Sequence, residues 1–197
     1  MGSKKSGSET VPAEPLEGFK EYLAEHQGDS VFEREKGKDS SWCVFLHCGG
    51  EAVGRIEQNE AFEFQLRDPQ GALQKLHKVK VNFLCLASDR EEVLRQTKRI
   101  EAVAARTEGP HFLPRFRHHI KNKSLFPLMS RREVLFFTLL NGELLRGVIA
   151  GFSKYEIYLH LKRGCPVVIL RHAVMDVKDK RNRSYLKKAV EKTGKYW

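Results

Sequence analysis

"LLNGELLRGVIAGFSKYEIYL", residues 139–159, decides how this chain is read. Asn141-Gly142 is the strongest short hairpin signal, because a tight type I′ turn needs positive φ at both central residues. The arms on either side, "EVLFFT" and "ELLRGVIAGF", are β-rich. Gly147 and Gly151 inside the return arm suit a sharply bent strand. "YEIYLHLKRG" (155–164) then alternates apolar and polar residues and ends at Gly164. "PVVIL" follows, then Arg171-His172, then "AVMDV" (173–177). Five short strands with a bent second strand predict a small, highly curved barrel or open sheet.

The same pattern stands earlier in the chain. "VFLHCGGEAVGRIEQNEAFEFQLRD" (44–68) lies on "FTLLNGELLRGVIAGFSKYEIYLHL" (137–161) when Gly49 is set on Gly142. Gly54 then falls on Gly147, Ile56 on Ile149, Phe62 on Tyr155, Glu63 on Glu156 and Leu66 on Leu159, without a gap. One inserted residue in the following loop sets "LHKVKVNF" (76–83) on "LRHAVMDV" (170–177). The matches fall on turn glycines and on the alternating apolar face, where a fold constrains its sequence. Units this small are marginal alone and expose edge strands. Pairing edges with a neighbour cures both problems.

Outside the repeats, residues 1–15 have the composition of a disordered segment. Leu16, Phe19 and Leu23 predict a short amphipathic helix over 15–28, and 29–41 reads as loop. Residues 88–109 predict one polar helix, with Ser88 as N-cap, Glu91 completing a capping box, and Gly109-Pro110 as its stop. The expected organisation is a first domain over 16–87, a helical and basic linker over 88–125, a second domain over 126–179 and a basic tail over 180–197.

The net charge of +10 favours a polyanionic partner, nucleic acid first. Eight Lys/Arg against two acids stand in 178–197, and "RFRHHIKNK" (115–123) holds four Lys/Arg and no acid. No apolar run approaches the roughly 20 residues of a membrane-spanning helix, so no membrane partner is expected. Cys43, Cys48, Cys85 and Cys165 form no CxxC pair and read as buried free thiols in the reducing cytoplasm. No metal, cofactor or catalytic signature stands in a plausible context, so an enzyme is not expected.

The second repeat resembles the bacterial Hfq branch of the Sm-like RNA-binding proteins. Asn141-Gly142, the strand glycine Gly147, the aromatic Tyr155 and Arg171-His172-Ala173 carry the resemblance, in the family's order and spacing. The first repeat keeps Gly49, Gly54, Phe62 and the pair His77-Lys78 and resembles the family less. The resemblance implies a mainly β chain with short helices, two tandem five-stranded Sm-like small barrels joined by a helical linker. It implies a ring, with three chains supplying six domains as a homotrimer, that binds single-stranded, U-rich RNA in post-transcriptional regulation or as an RNA chaperone. Lys154, Tyr155, Arg171 and His172 of the second domain, and Phe62, His77 and Lys78 of the first, are the implied RNA contacts. Arg131, Arg132, Lys180, Arg181 and Arg183 are candidate rim or phosphate contacts. The family's adenine-binding face carries Thr138 and Glu143 here, and a carboxylate near phosphate predicts that this face is weakened. The alternative is a protein-interaction scaffold with reduced or no specific RNA binding.

Overall fold

The computed structural model describes residues 16–106, 109–114 and 117–186. The expected disorder of 1–15 and most of the basic tail, 187–197, lie outside the described residues. Two short helices, α1 (Phe19–His26) and α2 (Val31–Glu35), precede β1 (Ser41–Leu46), β2 (Glu51–Asn59), β3 (Glu63–Arg67), β4 (Leu73–His77) and β5 (Val81–Leu86). Between the repeats come α3 (Arg90–Gln96), β6 (Lys98–Arg99), α4 (Glu101–Ala104) and α5 (Asn122–Ser130). The second repeat holds β7 (Val134–Leu139), β8 (Glu143–Phe152), β9 (Glu156–His160), β10 (Pro166–Leu170) and β11 (Val174–Lys178).

The repeat is closer in the backbone than in the sequence. Residues 41–85 superpose in pairing pattern on 134–178 with a constant displacement of 93, from Gly49 to Gly142 and from Val81 to Val174. Ser41↔Arg55 becomes Val134↔Val148, Ile56↔Leu66 becomes Ile149↔Leu159, and Phe64↔Leu76 becomes Ile157↔Ile169. The bulge between Ile56 and Gln58 recurs between Ile149 and Gly151. Leu46↔Val81 recurs as Leu139↔Val174, so the inserted residue expected before the last strand is absent. Lys78 therefore corresponds to Arg171, Val79 to His172 and His77 to Leu170. Gly54 and Gly147 explain the shared bend. A Cβ on either would collide with a backbone carbonyl of the next strand, Arg67 in one repeat and His160 in the other.

Two closed barrels joined by a helical linker do not form. All the strands belong to one eleven-stranded antiparallel sheet, in the order β11-β7-β8-β9-β10-β5-β1-β2-β3-β4, with β6 pairing on β8. The join is β10 on β5, through Val168↔Leu84 and Ile169↔Phe83. One edge of each repeat, β5 in the first and β10 in the second, is satisfied by the other, which is what unpaired strand edges favour. The cores interlock as well. Cys43, Phe45, Phe83 and Cys85 are buried in the larger core with the second repeat's Leu159, Val167 and Ile169. Val168 and Leu170 are buried in the smaller core with Phe32, Ile56 and Phe64. Burying such a side chain contributes about 1.5–3 kcal/mol, so the seam holds much of the stabilisation of both halves.

The linker is not one helix either. After a 3-10 turn over Ala87–Asp89, α3 stops at Thr97 and the chain extends as β6 along Glu143–Leu144 of β8. Val93 and Val103 are the buried residues on either side of this break, and the thin apolar stripe lets pairing with β8 win over helix continuation. Asp89, not Ser88, takes the position before α3, with no side-chain cap bond. The expected loop over 29–41 contains α2, whose Phe32 is buried against Phe64 at 4.6 Å between ring centroids. Displaced by 93, Phe32 corresponds to Leu125 of α5, also fully buried, so each repeat opens with a helix over its core. α1 rests on the second repeat, where the Tyr22 hydroxyl donates to the Phe152 carbonyl at 2.9 Å and accepts its N–H at 2.6 Å. Cys43, Cys85 and Cys165 are buried thiols, while Cys48 is exposed in the β1–β2 turn. Among the described residues no helix is long and apolar enough to cross a membrane.

Candidate nucleic-acid interface

In each repeat the β2–β3 type of turn meets the 3-10 turn that precedes the last strand. The Lys78 N–H donates to the Phe62 carbonyl at 2.8 Å, and the Arg171 N–H donates to the Tyr155 carbonyl at 2.9 Å. This backbone bond sets an aromatic residue beside a cation twice, at one end of the sheet. Both aromatics point outward: Phe62 is 72% exposed and Tyr155 60%. Neither ring packs in a core.

Around Tyr155, the Lys154 ammonium lies 5.1 Å from the ring centroid. Arg171 turns inward. Its guanidinium donates to Asn122 Oδ1 at 2.8 Å, the Ser153 carbonyl at 2.8 Å and the Ile120 carbonyl at 2.6 Å. Burial pulls its pKa down to about 10, so it stays charged at neutral pH while three of its five N–H donors are spent on the protein. His172 is turned inward too. Its Nε2 meets the Val81 carbonyl of the first repeat at 2.9 Å. Burial, helped by the Arg117 charge, pulls its pKa down to about 4. At neutral pH it is an uncharged donor stitching β5 to the second repeat. Arg171 and His172 therefore hold the site's frame and do not stand free toward solvent.

Around Phe62, the His77 ring lies roughly parallel at 6.5 Å, and Phe112 meets His77 edge-on at 5.4 Å. The His77 Nδ1 accepts the Val79 N–H at 3.2 Å. The Lys78 ammonium lies 5.1 Å from the Phe32 ring centroid, bonds the Glu60 carbonyl, and has its pKa lowered by burial.

The basic cluster over 115–123 was expected to favour nucleic acid, but residues 110–125 were placed in a linker and neither Phe112 nor Arg117 was among the expected site residues. Phe112, 57% exposed, joins the first repeat's aromatic pair. Arg117 donates to the His111 and Phe112 carbonyls, both at 2.8 Å, and its charge helps lower the pKa of His172. Ile120 and Asn122 receive Arg171. The segment crosses the same end of the sheet, from His77 in one repeat to Arg171 in the other. The signal was present in "HFLPRFRHH" (111–119), aromatic residues interleaved with basic ones. Arg115 and Phe116 of that stretch lie outside the described residues.

The rim candidates lie elsewhere. Arg132, Lys180, Arg181 and Arg183 surround a cleft of about 410 Å³ with Glu133 and Asp179, and Arg131 pairs with Glu133 at 3.2 Å. This cleft follows β11, whereas Arg171 precedes it, a separation of about 15 Å along a five-residue strand. On the expected adenine-binding face, Thr138 and Glu143 are largely enclosed. Glu143 accepts from Asn141 Nδ2 at 2.8 Å, burial raises its pKa, and β6 lies along its strand. Among the described residues no group of three His, Cys, Asp or Glu side chains is arranged to hold a metal.

Comparison with protein-family models, curated proteins and solved structures yields no match to this chain.

Proposed function

We propose that the chain binds single-stranded RNA on the surface built from Phe62, His77, Phe112, Arg117, Lys154 and Tyr155. The observation that carries this reading is the pair of exposed aromatics, each placed by the same backbone bond, with a basic and aromatic segment running between them. Unpaired bases stack on such rings, at about 1–3 kcal/mol per base, while Lys and Arg meet phosphate. Duplexes keep their bases stacked internally and gain little from this surface. Kinship with the Hfq branch belongs to the same proposal, supported by Asn141-Gly142, Gly147, Tyr155 and Arg171-His172-Ala173, and with it a preference for U-rich strands and a cytoplasmic role in post-transcriptional regulation as an RNA chaperone. Joining of three chains into a ring through β4 of one and β11 of the next, once the outer edge of β11 is freed to receive it, completes the reading.

The test is binding of the full chain to oligo-U, oligo-A and duplex DNA at two salt concentrations. Oligo-U should bind best, with affinity falling at higher salt as phosphate contacts require. Equal affinity for duplex DNA, or no binding to oligo-U at low salt, overturns the reading. The inward turn of Arg171 and His172 favours one other reading, a protein-interaction scaffold without specific RNA binding, and the second outcome would support it.

A further inference from the structure

The two repeats differ in what covers their last strand. On β5, the edge facing away from β1 receives β10, at Leu84↔Val168 and Phe83↔Ile169. Displaced by 93, the corresponding positions of β11 are Val177 and Asp176. There the chain folds back on itself. Ser184 forms a β-bridge with Lys178, and the Tyr185 N–H donates to the Val177 carbonyl at 2.9 Å. The other edge of β11 is already filled by β7, through Val177↔Phe137 and Lys178↔Phe136. Residues 183–185 therefore lie on the β11 edge that matches the docking edge of β5.

The returning arm is anchored for that place. Asp179 Oδ1 accepts the N–H groups of Arg181 and Arg183 at 2.8 and 3.0 Å. Its Oδ2 accepts Arg183 Nε at 2.6 Å and the Tyr185 hydroxyl at 3.1 Å. Burial pushes this carboxyl up, but these bonds outweigh it and hold its pKa at about 2. Asn182 makes the turn with φ 61°. Asp176, where β5 has Phe83, accepts the Ser184 hydroxyl at 2.5 Å. Tyr185 and Leu186 pack on the larger core. At the far end of the sheet β4 is the last strand, with Leu73 54% exposed and Gln74 and Lys75 exposed beside it.

We propose that residues 179–186 form an intramolecular edge cap that competes with β4 of a second copy of this chain for the outer edge of β11. Lys75 and Leu76 of β4 hold the positions that Val168 and Ile169 hold in β10. Setting them on Val177 and Asp176 of another chain would repeat the β10–β5 join, and the cap must leave first. A bare strand edge invites pairing, and a hairpin that fills it suppresses pairing. The proposal deepens the self-association part of the reading above. Its test uses no RNA, so it and RNA binding can fail separately.

The experiment is sedimentation velocity of the full chain from low to high micromolar concentration. Asp179→Ala removes the anchor of the turn, and Tyr185→Pro removes the N–H that reaches Val177. Wild type should sediment as a single chain throughout. Both variants should associate as concentration rises, with circular dichroism unchanged from wild type. Adding Lys75→Asp to Asp179→Ala sets a short carboxylate directly opposite apolar Val177 across the join, where it loses water without a partner, and should weaken that association at least tenfold. Variants that keep their circular dichroism and remain single chains overturn the proposal. So does association that Lys75→Asp leaves unchanged, or a wild type that already associates and loses it through Lys75→Asp.

Discussion

The first repeat and the second share a backbone while sharing few residues. Over 41–85 and 134–178 every strand pairing, both turns of positive-φ glycine and the bulge recur at one displacement, yet Tyr155 stands at the position of Phe62, Arg171 at that of Lys78 and His172 at that of Val79. The shared part is what the backbone needs: Gly54 and Gly147 at a close approach, and apolar residues on alternate positions. The differing part is what the surface and the seam do. Lys78 bonds Glu60 within its own repeat, whereas Arg171 is fixed by Ile120 and Asn122 of the connecting segment. His172 bonds across the seam from a position where the first repeat has an apolar Val79. The two repeats share the frame while each takes a different neighbour.

The largest expected effect tests whether the two copies are one unit. Gly54→Val and Gly147→Val should each cost about 4 kcal/mol, since a side chain there meets backbone that cannot move aside. Hydrogen exchange read over 41–85 and 134–178 should show both copies losing protection together in either variant. Full protection persisting in one copy would break the claim that the cores are shared.

Next comes the pair Arg171→Ala and Lys78→Ala. Arg171→Ala leaves two carbonyls and Asn122 without their donor, and should lower stability by about 3 kcal/mol in urea unfolding. Lys78→Ala should lower it by about 1 kcal/mol. Equal losses would mean that the connecting segment adds nothing to the second repeat.

His172 adds a pH dependence that the first repeat lacks at this position. Its folded pKa of about 4 lies below the unfolded value near 6.5. Between these values the unfolded chain binds more protons, so this contribution is complete above pH 6.5 and is lost as pH falls toward 4. Full loss amounts to about 3 kcal/mol. Buried Glu143 and Glu156, whose pKa values are raised by burial, act in the opposite sense. The difference in urea midpoint between wild type and His172→Gln at pH 7 and pH 5 isolates the histidine, and wild type should lose its advantage at pH 5. Parallel pH profiles would remove the histidine from the seam's energetics.

The smallest effect concerns the surface alone. Tyr155→Ala and Phe62→Ala should each weaken oligo-U binding by about 1–2 kcal/mol. Thermal stability should stay within about 0.5 kcal/mol of wild type, because both rings are exposed. A loss confined to Tyr155 would assign binding to the second repeat only.

The glycines, the Asn-Gly turn and the period-two apolar pattern made the repeat and its strands legible, because these residues act on their own local backbone. The partner of each edge was not legible, since an edge carries no side-chain label for the strand that will cover it. Hence two closed barrels were expected where β10 and β5 complete one sheet. The helix over 88–109 failed for a related reason: β6 forms because β8 offers an edge, which nothing in "TKRIEAV" announces. In the candidate site, Lys154 and Tyr155 came from the family resemblance, and Phe62 from its match to Tyr155 in the repeat. The inward turn of Arg171 and His172 was hidden, because both depend on acceptors far away in sequence, at Ile120 and Val81.

The β10–β5 join has a consequence for dilution. Two separate copies meeting edge to edge would part as their concentration fell. Here both strands lie on one chain, and a connecting segment of moderate length holds such partners at an effective concentration in the millimolar range. The seam then persists at any cellular abundance of the protein. Because one copy never has to meet another of its own kind at this join, each face of the seam is free to specialise, as Phe83 and Val168 have on their opposite sides.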